Sequence, residues 1–236
     1  MNTNNHLNKA HIALALGACA LAMIVVGCSS TGQARSVTAA GFLGDYSQLK
    51  EGGSGEAKLV YVAPDAHWQS YRKILMEPVT IWANEKTDKV PKEDQQALVD
   101  HLTASVQAAL KDDYEFVTKL GPDVIRLRVA ITEARGSNVP MDTLTTVVPQ
   151  ARTLTSLGGL VTGTAAFVGK AGVEGELLDS VTNQRLAAAV DGRVGQKKLI
   201  GGGVLEKWAD VKDSFDFWAQ RLKTRLTELR AGVKPQ

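Results

Sequence analysis

The residue best placed for covalent chemistry is Cys28, which follows Val25, Val26 and Gly27 at the end of an apolar run over 12–26. A thiol directly behind a small residue, with an apolar residue two places before that, fits the bacterial lipobox. In that motif the cysteine is diacylated, with palmitate among the expected acyl groups, and the chain is cut in front of it. The positive start is confined to Lys9 and the amino terminus. A charged start, an apolar centre and a small residue before the cut are the parts of a secretory signal peptide. The apolar run has about 15 residues, fewer than the roughly 18 to 20 a helix needs to cross a bilayer. Cleavage is therefore expected, with 1–27 as signal peptide and Cys28 as the lipid attachment site. Ser29 follows the cysteine where an aspartate would signal inner-membrane retention, so the expected location is the outer membrane, facing the periplasm.

Other residue types that could do chemistry fail on spacing. Glu174 and Glu176 could form an acid pair, but on alternating strand positions they share a face with Arg126 and Arg128, which suits cross-strand charge pairing. His67 and His101 are the histidines beyond Cys28, too few and too far apart for a metal site without carboxylate help. The sequence GGSGE over 52–56 lacks the last glycine of a nucleophile elbow. In GTAAFVGKA over 163–171, Ala171 stands where a phosphate loop needs Ser or Thr for magnesium. Cys19 lies in the discarded run and Cys28 would be acylated, so no disulfide and no free thiol nucleophile are expected. No cofactor, no metal and no enzymatic activity are expected from this inventory.

Charge points away from nucleic acid. Of 27 basic and 25 acidic side chains, Lys9 is the sole strong charge ahead of Cys28, which leaves 26 basic and a net charge near +1 after cleavage. The basic residues are scattered rather than gathered into a stripe that could track phosphates. The residues from 28 onward suffice for one domain with a sizeable core. The expected organisation is an acylated cysteine and flexible tether over 28–40, then a single domain over 41–236.

The elements follow from periodicity. A lead-in, GFLGDYSQL over 41–49, precedes short strands at 59–62 and 73–82, the second interrupted by Pro78, which suits an edge or a bulge. Leu98, Leu102, Val106 and Leu110 recur every four residues behind Pro91 and mark an amphipathic helix. After a short strand at 114–118, the run 124–134 alternates Ile125, Leu127, Val129 and Ile131 with Arg126, Arg128 and Thr132, one face core and one wet. Strands at 173–180 and 185–194 form a hairpin, with Asn183 suited to a left-handed turn position and Leu186, Ala188, Val190 and Val194 sharing a face. A last helix over 206–229 carries Trp208, Val211, Phe215, Trp218, Leu222, Leu226 and Leu229 on one stripe, which Leu127, Val129 and Ile131 should face. The fold class expected is α+β: a two-layer sandwich of a mostly antiparallel sheet of about five strands with two amphipathic helices on one face.

One stretch, 157–172, departs from this scheme. It is Gly-rich and nearly uncharged, and Gly159, Gly163, Ala165 and Gly169 fall at the four-residue spacing that lets backbones approach. It reads as an insertion that either packs locally or serves self-association or membrane contact.

The mature chain resembles the bacterial lipoproteins classed as domain of unknown function 3313. The resemblance rests on GFLGDYSQL, on Glu77-Pro78-Val79, on RLRVAITEA at 126–134, on EGELLDS at 174–180 with RLAAAVD at 185–191, and on the segment from Trp208 to Trp218. It implies an envelope location and no established activity. The expected function is that of an outer-membrane-anchored lipoprotein acting as a non-catalytic binding or scaffolding module. Its partners would be the membrane, through the lipid on Cys28, and an envelope protein or a second copy of itself. Two alternatives stand beside this: a homo-oligomeric secretion or channel-like accessory protein, and a hydrolase with an unrecognised site.

Overall fold

The structure, a computed structural model, describes residues 31–137, 168–195 and 207–233. In chain order the elements are β1 (Thr31–Gln33), β2 (Lys50–Glu51), β3 (Leu59–Val62), β4 (Lys73–Met76), β5 (Thr80–Ile81), α1 (Lys92–Leu110), β6 (Glu115–Phe116), β7 (Val124–Arg135), β8 (Lys170–Asp179), β9 (Arg185–Gly195) and α2 (Ala209–Arg230). The strands run β2-β3-β9-β8-β7-β4-β6 across one open, mixed, mostly antiparallel sheet, with β1 beside β9 and β5 beside β7.

The fold is α+β as expected, but with nine strands among the described residues rather than about five. The additions are β1 and β2, together with the division of the expected strand over 73–82 into β4 and a two-residue β5; β1, β2, β5 and β6 are each two or three residues long. Strands that short cannot display an alternating pattern and are defined by the neighbour they bond to. β4 and β5 pair parallel to β7, because α1 forms the crossover between them. Pro78 separates the two. Between Met76 and Thr80 this strand takes four steps while β7 takes three, from Leu127 to Ala130, so the proline sits at a one-residue irregularity, as its missing N–H requires.

Both helices pack on the face carrying Ile125, Leu127, Val129 and Ile131. Leu98, Leu102, Val106 and Leu110 from α1 join Val211, Phe215, Leu226 and Leu229 from α2 in one buried cluster, with Trp218 and Leu222 packed against its margin. α2 stops just before Gly232, whose φ of 80° is the left-handed conformation that favours glycine. Asn183, at φ 60°, takes the same region in the hairpin turn.

The opposite face is not wet. The lead-in, turning at Gly41 and Gly44 with φ of 100° and 71°, lies across it and buries Leu43 against Ala188 and Val190, with Phe42, Tyr46 and Leu49 around them. Glu174 and Glu176, expected on a solvated face, are buried under it. The expected common face of 186, 188, 190 and 194 also breaks. Leu177 pairs with Ala187 but Leu178 with Arg185, so Leu186 is an extra residue and turns to the helix side. Nor does the expected flexible tether extend to 40. Thr31, Gly32 and Gln33 pair with Gly195, Val194 and Arg193, and the Arg193 guanidinium donates to both the hydroxyl and the carbonyl of Thr31. Among the described residues no helix is long and apolar enough to cross a membrane.

Candidate binding site

A cavity of about 180 Å³ lies between α2 and the sheet. Its floor comes from the sequence of β8 and β9: Gly175, Ala187 and Ala189 are too small to fill the space beneath the helix. Val60 and Val62 close it from β3, Leu102 and Val106 from α1, and Trp218, Leu222 and Leu226 from α2. Native cores leave few voids larger than a water molecule, so a void of this size needs a prop. Trp218 supplies one. Its indole N–H donates to Asp191 Oδ2 at 2.8 Å, and Asp191 Oδ1 accepts from Gln33 Nε2 at 2.9 Å and from the Lys58 amide at 3.2 Å. Phe215 lies beside the indole, with ring centroids 6.1 Å apart. The helix is thereby held off residues that would otherwise let it settle onto the strand.

The rim is charged and mostly self-compensated. Glu56 Oε1 meets Arg225 Nη2 at 3.1 Å, and Arg225 Nη1 meets Glu228 at 3.1 Å. Asp191 is in turn close enough to Arg193 to favour that guanidinium's charge against the burial that depresses it, and Arg193 stacks 3.5 Å above the Phe217 ring. Arg221, half-buried on the same rim, has no ion pair or hydrogen bond within the described residues.

The residues singled out from sequence are placed elsewhere. Glu174, fully buried, accepts from the Ala40 amide and from the Tyr46 hydroxyl, each at 2.5 Å. Burial, and then the hydrogen bond to Glu174, push the Tyr46 hydroxyl up to about 12, so it is a proton donor at neutral pH. Glu176 is ion-paired with Arg128, as the cross-strand reading expected, and also with Arg185 at 2.9 Å. Arg185 continues to the carbonyls of Leu43 and Asp45, at 3.0 and 2.8 Å. The two acids thus clamp the lead-in and offer no carboxylate to a substrate.

His101 Nε2 lies 3.0 Å from Asp216 Oδ1, which also accepts from Ser105 Oγ at 2.5 Å. The Ser105 hydroxyl therefore faces the acid rather than the imidazole, the wrong order for a nucleophile and its base. His67 precedes a short 3₁₀ turn and accepts the Ser70 hydroxyl on its carbonyl. Among the described residues no group of three His, Cys, Asp or Glu is placed to hold a metal.

Cys28, Gly159, Gly163 and Ala165 lie outside the described residues. Gly169 lies within them, and its N–H donates to Asp210 Oδ2 at 2.7 Å. A Cβ on Gly169 would fall 2.8 Å from that of Asp210, and one on Gly195 2.2 Å from Asp210 Oδ2. The small residue at 169 lets the start of α2 meet the strands of its own chain. Residues 170–172, which the sequence pattern places in the insertion, belong to β8.

Sequence reasoning misses the rim residues Glu56, Arg221 and Arg225 and the floor of Ala187 and Ala189. The available signal is the pair Ala187 and Ala189, two residues apart and so on one face, too small to fill a strand surface opposite a helix rich in large side chains.

This is an α+β domain whose ionisable groups brace its covers and whose apolar space under α2 stays open. The chain belongs to the family of proteins of unknown function DUF3313, whose model matches residues 38–222. No curated protein matches it. Among solved structures it is similar to a DUF330 protein from Xanthomonas campestris, at 14% identity over 72% of this chain and 92% of that one with a TM-score of 0.42. It is also similar to the PelC dodecamer from Paraburkholderia phytofirmans, at 11% identity over 70% and 94% with a TM-score of 0.39.

Proposed function

We propose that this protein is a non-catalytic binding module of the bacterial envelope, held at the outer membrane by a lipid on Cys28, with the cavity beneath α2 as its binding site. The observation that carries this reading is the contrast in how groups are used. The carboxylates near the cavity, Asp191 and Glu56, are bonded to partners in their own chain, while the apolar space beneath Trp218 and Leu222 is lined and left open. Binding sites are concave and largely apolar, with few polar groups at the edge. A catalytic site needs the reverse, a titratable group free to act on a substrate.

Two measurements test the two parts. The chain is extracted from the membranes of its own cells, and the molecules it releases on denaturation are identified by mass spectrometry. Wild-type should release a small molecule that Ala189→Leu, which fills the floor of the cavity, does not. Identical releases from both chains would overturn the site. For the anchor, Cys28→Ala should leave an unprocessed or soluble species, and a variant still recovered as mature, lipid-labelled protein would overturn the attachment at Cys28.

A further inference from the structure

We propose that the cavity receives the aliphatic chain of a single-chain anionic amphiphile and that Arg221 receives its acidic head. This rests on the cavity being a binding site and adds the chemistry of its ligand. A cavity of about 150 Å³ walled by Leu, Ile and Phe stays dry and takes up benzene. At about 180 Å³, the space under α2 suits a chain segment of about six to eight carbon atoms. The polar groups reaching its wall have their bonds already: the Trp218 N–H is given to Asp191, and Glu56 is paired with Arg225. A polar ligand would shed its water and find no free partner inside, which is costly, whereas an alkyl chain loses nothing on entry.

Charge decides what the outer end of that chain carries. On the rim Glu56 is matched by Arg225, and Asp191 by Trp218, Gln33 and the Lys58 amide. Arg221 is left as the cation without a partner within the described residues. A guanidinium in a half-buried position recovers its lost hydration best from a carboxylate or phosphate, which its planar fork can grip with two bonds. A neutral head would leave that site unfilled, and a cationic one would be repelled by it.

The test uses the full chain in nanodiscs, titrated calorimetrically with octanoate, octanol and octyltrimethylammonium against empty nanodiscs. Octanoate should bind saturably at one per chain, about tenfold tighter than octanol, with octyltrimethylammonium weakest. Arg221→Gln should bring octanoate to the level of octanol, and Ala189→Leu should abolish both. Leu222→Trp, which closes the mouth from a half-exposed position, serves as second filler should Ala189→Leu fold poorly. Octanol binding as tightly as octanoate, or octanoate unaffected by Arg221→Gln, overturns the anionic head while sensitivity to Ala189→Leu keeps the binding site. If no probe binds above empty nanodiscs, the ligand class falls, and the molecule released from the native membranes decides the site separately.

Discussion

The two faces of the sheet are covered by different means. On one side, α1 and α2 bring periodic stripes of large apolar residues, and their contact with β7 is held by area alone: Phe215, Leu98 and Ile125 are fully buried. On the other side lies a single irregular segment with Leu43 as its one deeply buried apolar anchor. It is fixed by charge-assisted bonds, from Ala40 and Tyr46 to Glu174 and from Arg185 to Leu43 and Asp45. A helix satisfies its own backbone and needs only to bury a stripe. A coil must find partners for its backbone groups in the surface it covers, and buried carboxylates on β8 supply them.

This difference predicts different failures. Phe215→Ala removes a fully buried ring from the helix side and should cost about 3 to 5 kcal/mol. It should appear as a lower denaturation midpoint with an unchanged slope, because that side unfolds only with the whole domain. A midpoint unchanged within error would show that area is not what holds the helices. Glu174→Ala should cost less, roughly 2 to 3 kcal/mol, and act locally. Protease cleavage within 40–49 and hydrogen exchange at the Ala40 amide should rise well before the helices open. Global unfolding with no early cleavage would make the two faces one unit.

The smallest effect is in pH. Tyr46 on the lead-in side and Tyr71 on the helix side, the latter bonded to Asp179 at 2.8 Å, are each pushed up to about 12, first by burial and then by the carboxylate they bond. A hydroxyl titrating near 10 when unfolded and near 12 when folded binds its proton more tightly in the folded state. Its contribution is complete below pH 10 and lost as pH rises from 10 to 12. Tyr46→Phe should flatten the alkaline fall of lead-in protection alone, and Tyr71→Phe the fall in global melting temperature alone. Both variants altering both readouts equally would remove the distinction.

The same contrast explains what can be read from sequence. The two helices, β7 and the β8–β9 hairpin follow from periodicity, because each spans several repeats of 3.6 or 2. The far face misleads because Arg126, Arg128, Glu174 and Glu176 alternate in the same way whether they meet water or a covering coil. Nothing in GFLGDYSQL announces, by period, that Tyr46 will cap a carboxylate. The extra residues at Leu186 and after Ile131 each flip the sides of the strand positions beyond them, and a strict alternation argument cannot see them. The cavity is harder still, since a void is defined by what several separate elements, β3, β8, β9, α1 and α2 among them, fail to fill. Ala187 and Ala189 read as ordinary strand residues until Trp218 is known to stand off above them.

The short pairing of β1 with β9 bears on orientation. If Cys28 carries a lipid, as proposed, the three residue steps to Thr31 keep its Cα within about 10 Å of the sheet. A domain joined by a dozen free residues would tumble, and its faces would sample the bilayer normal evenly. This one would have a pole: the end of the sheet where β1 meets Gly195 would be pinned at the headgroups. Every other feature, the rim around Arg221 included, would then keep a fixed latitude above the lipid surface.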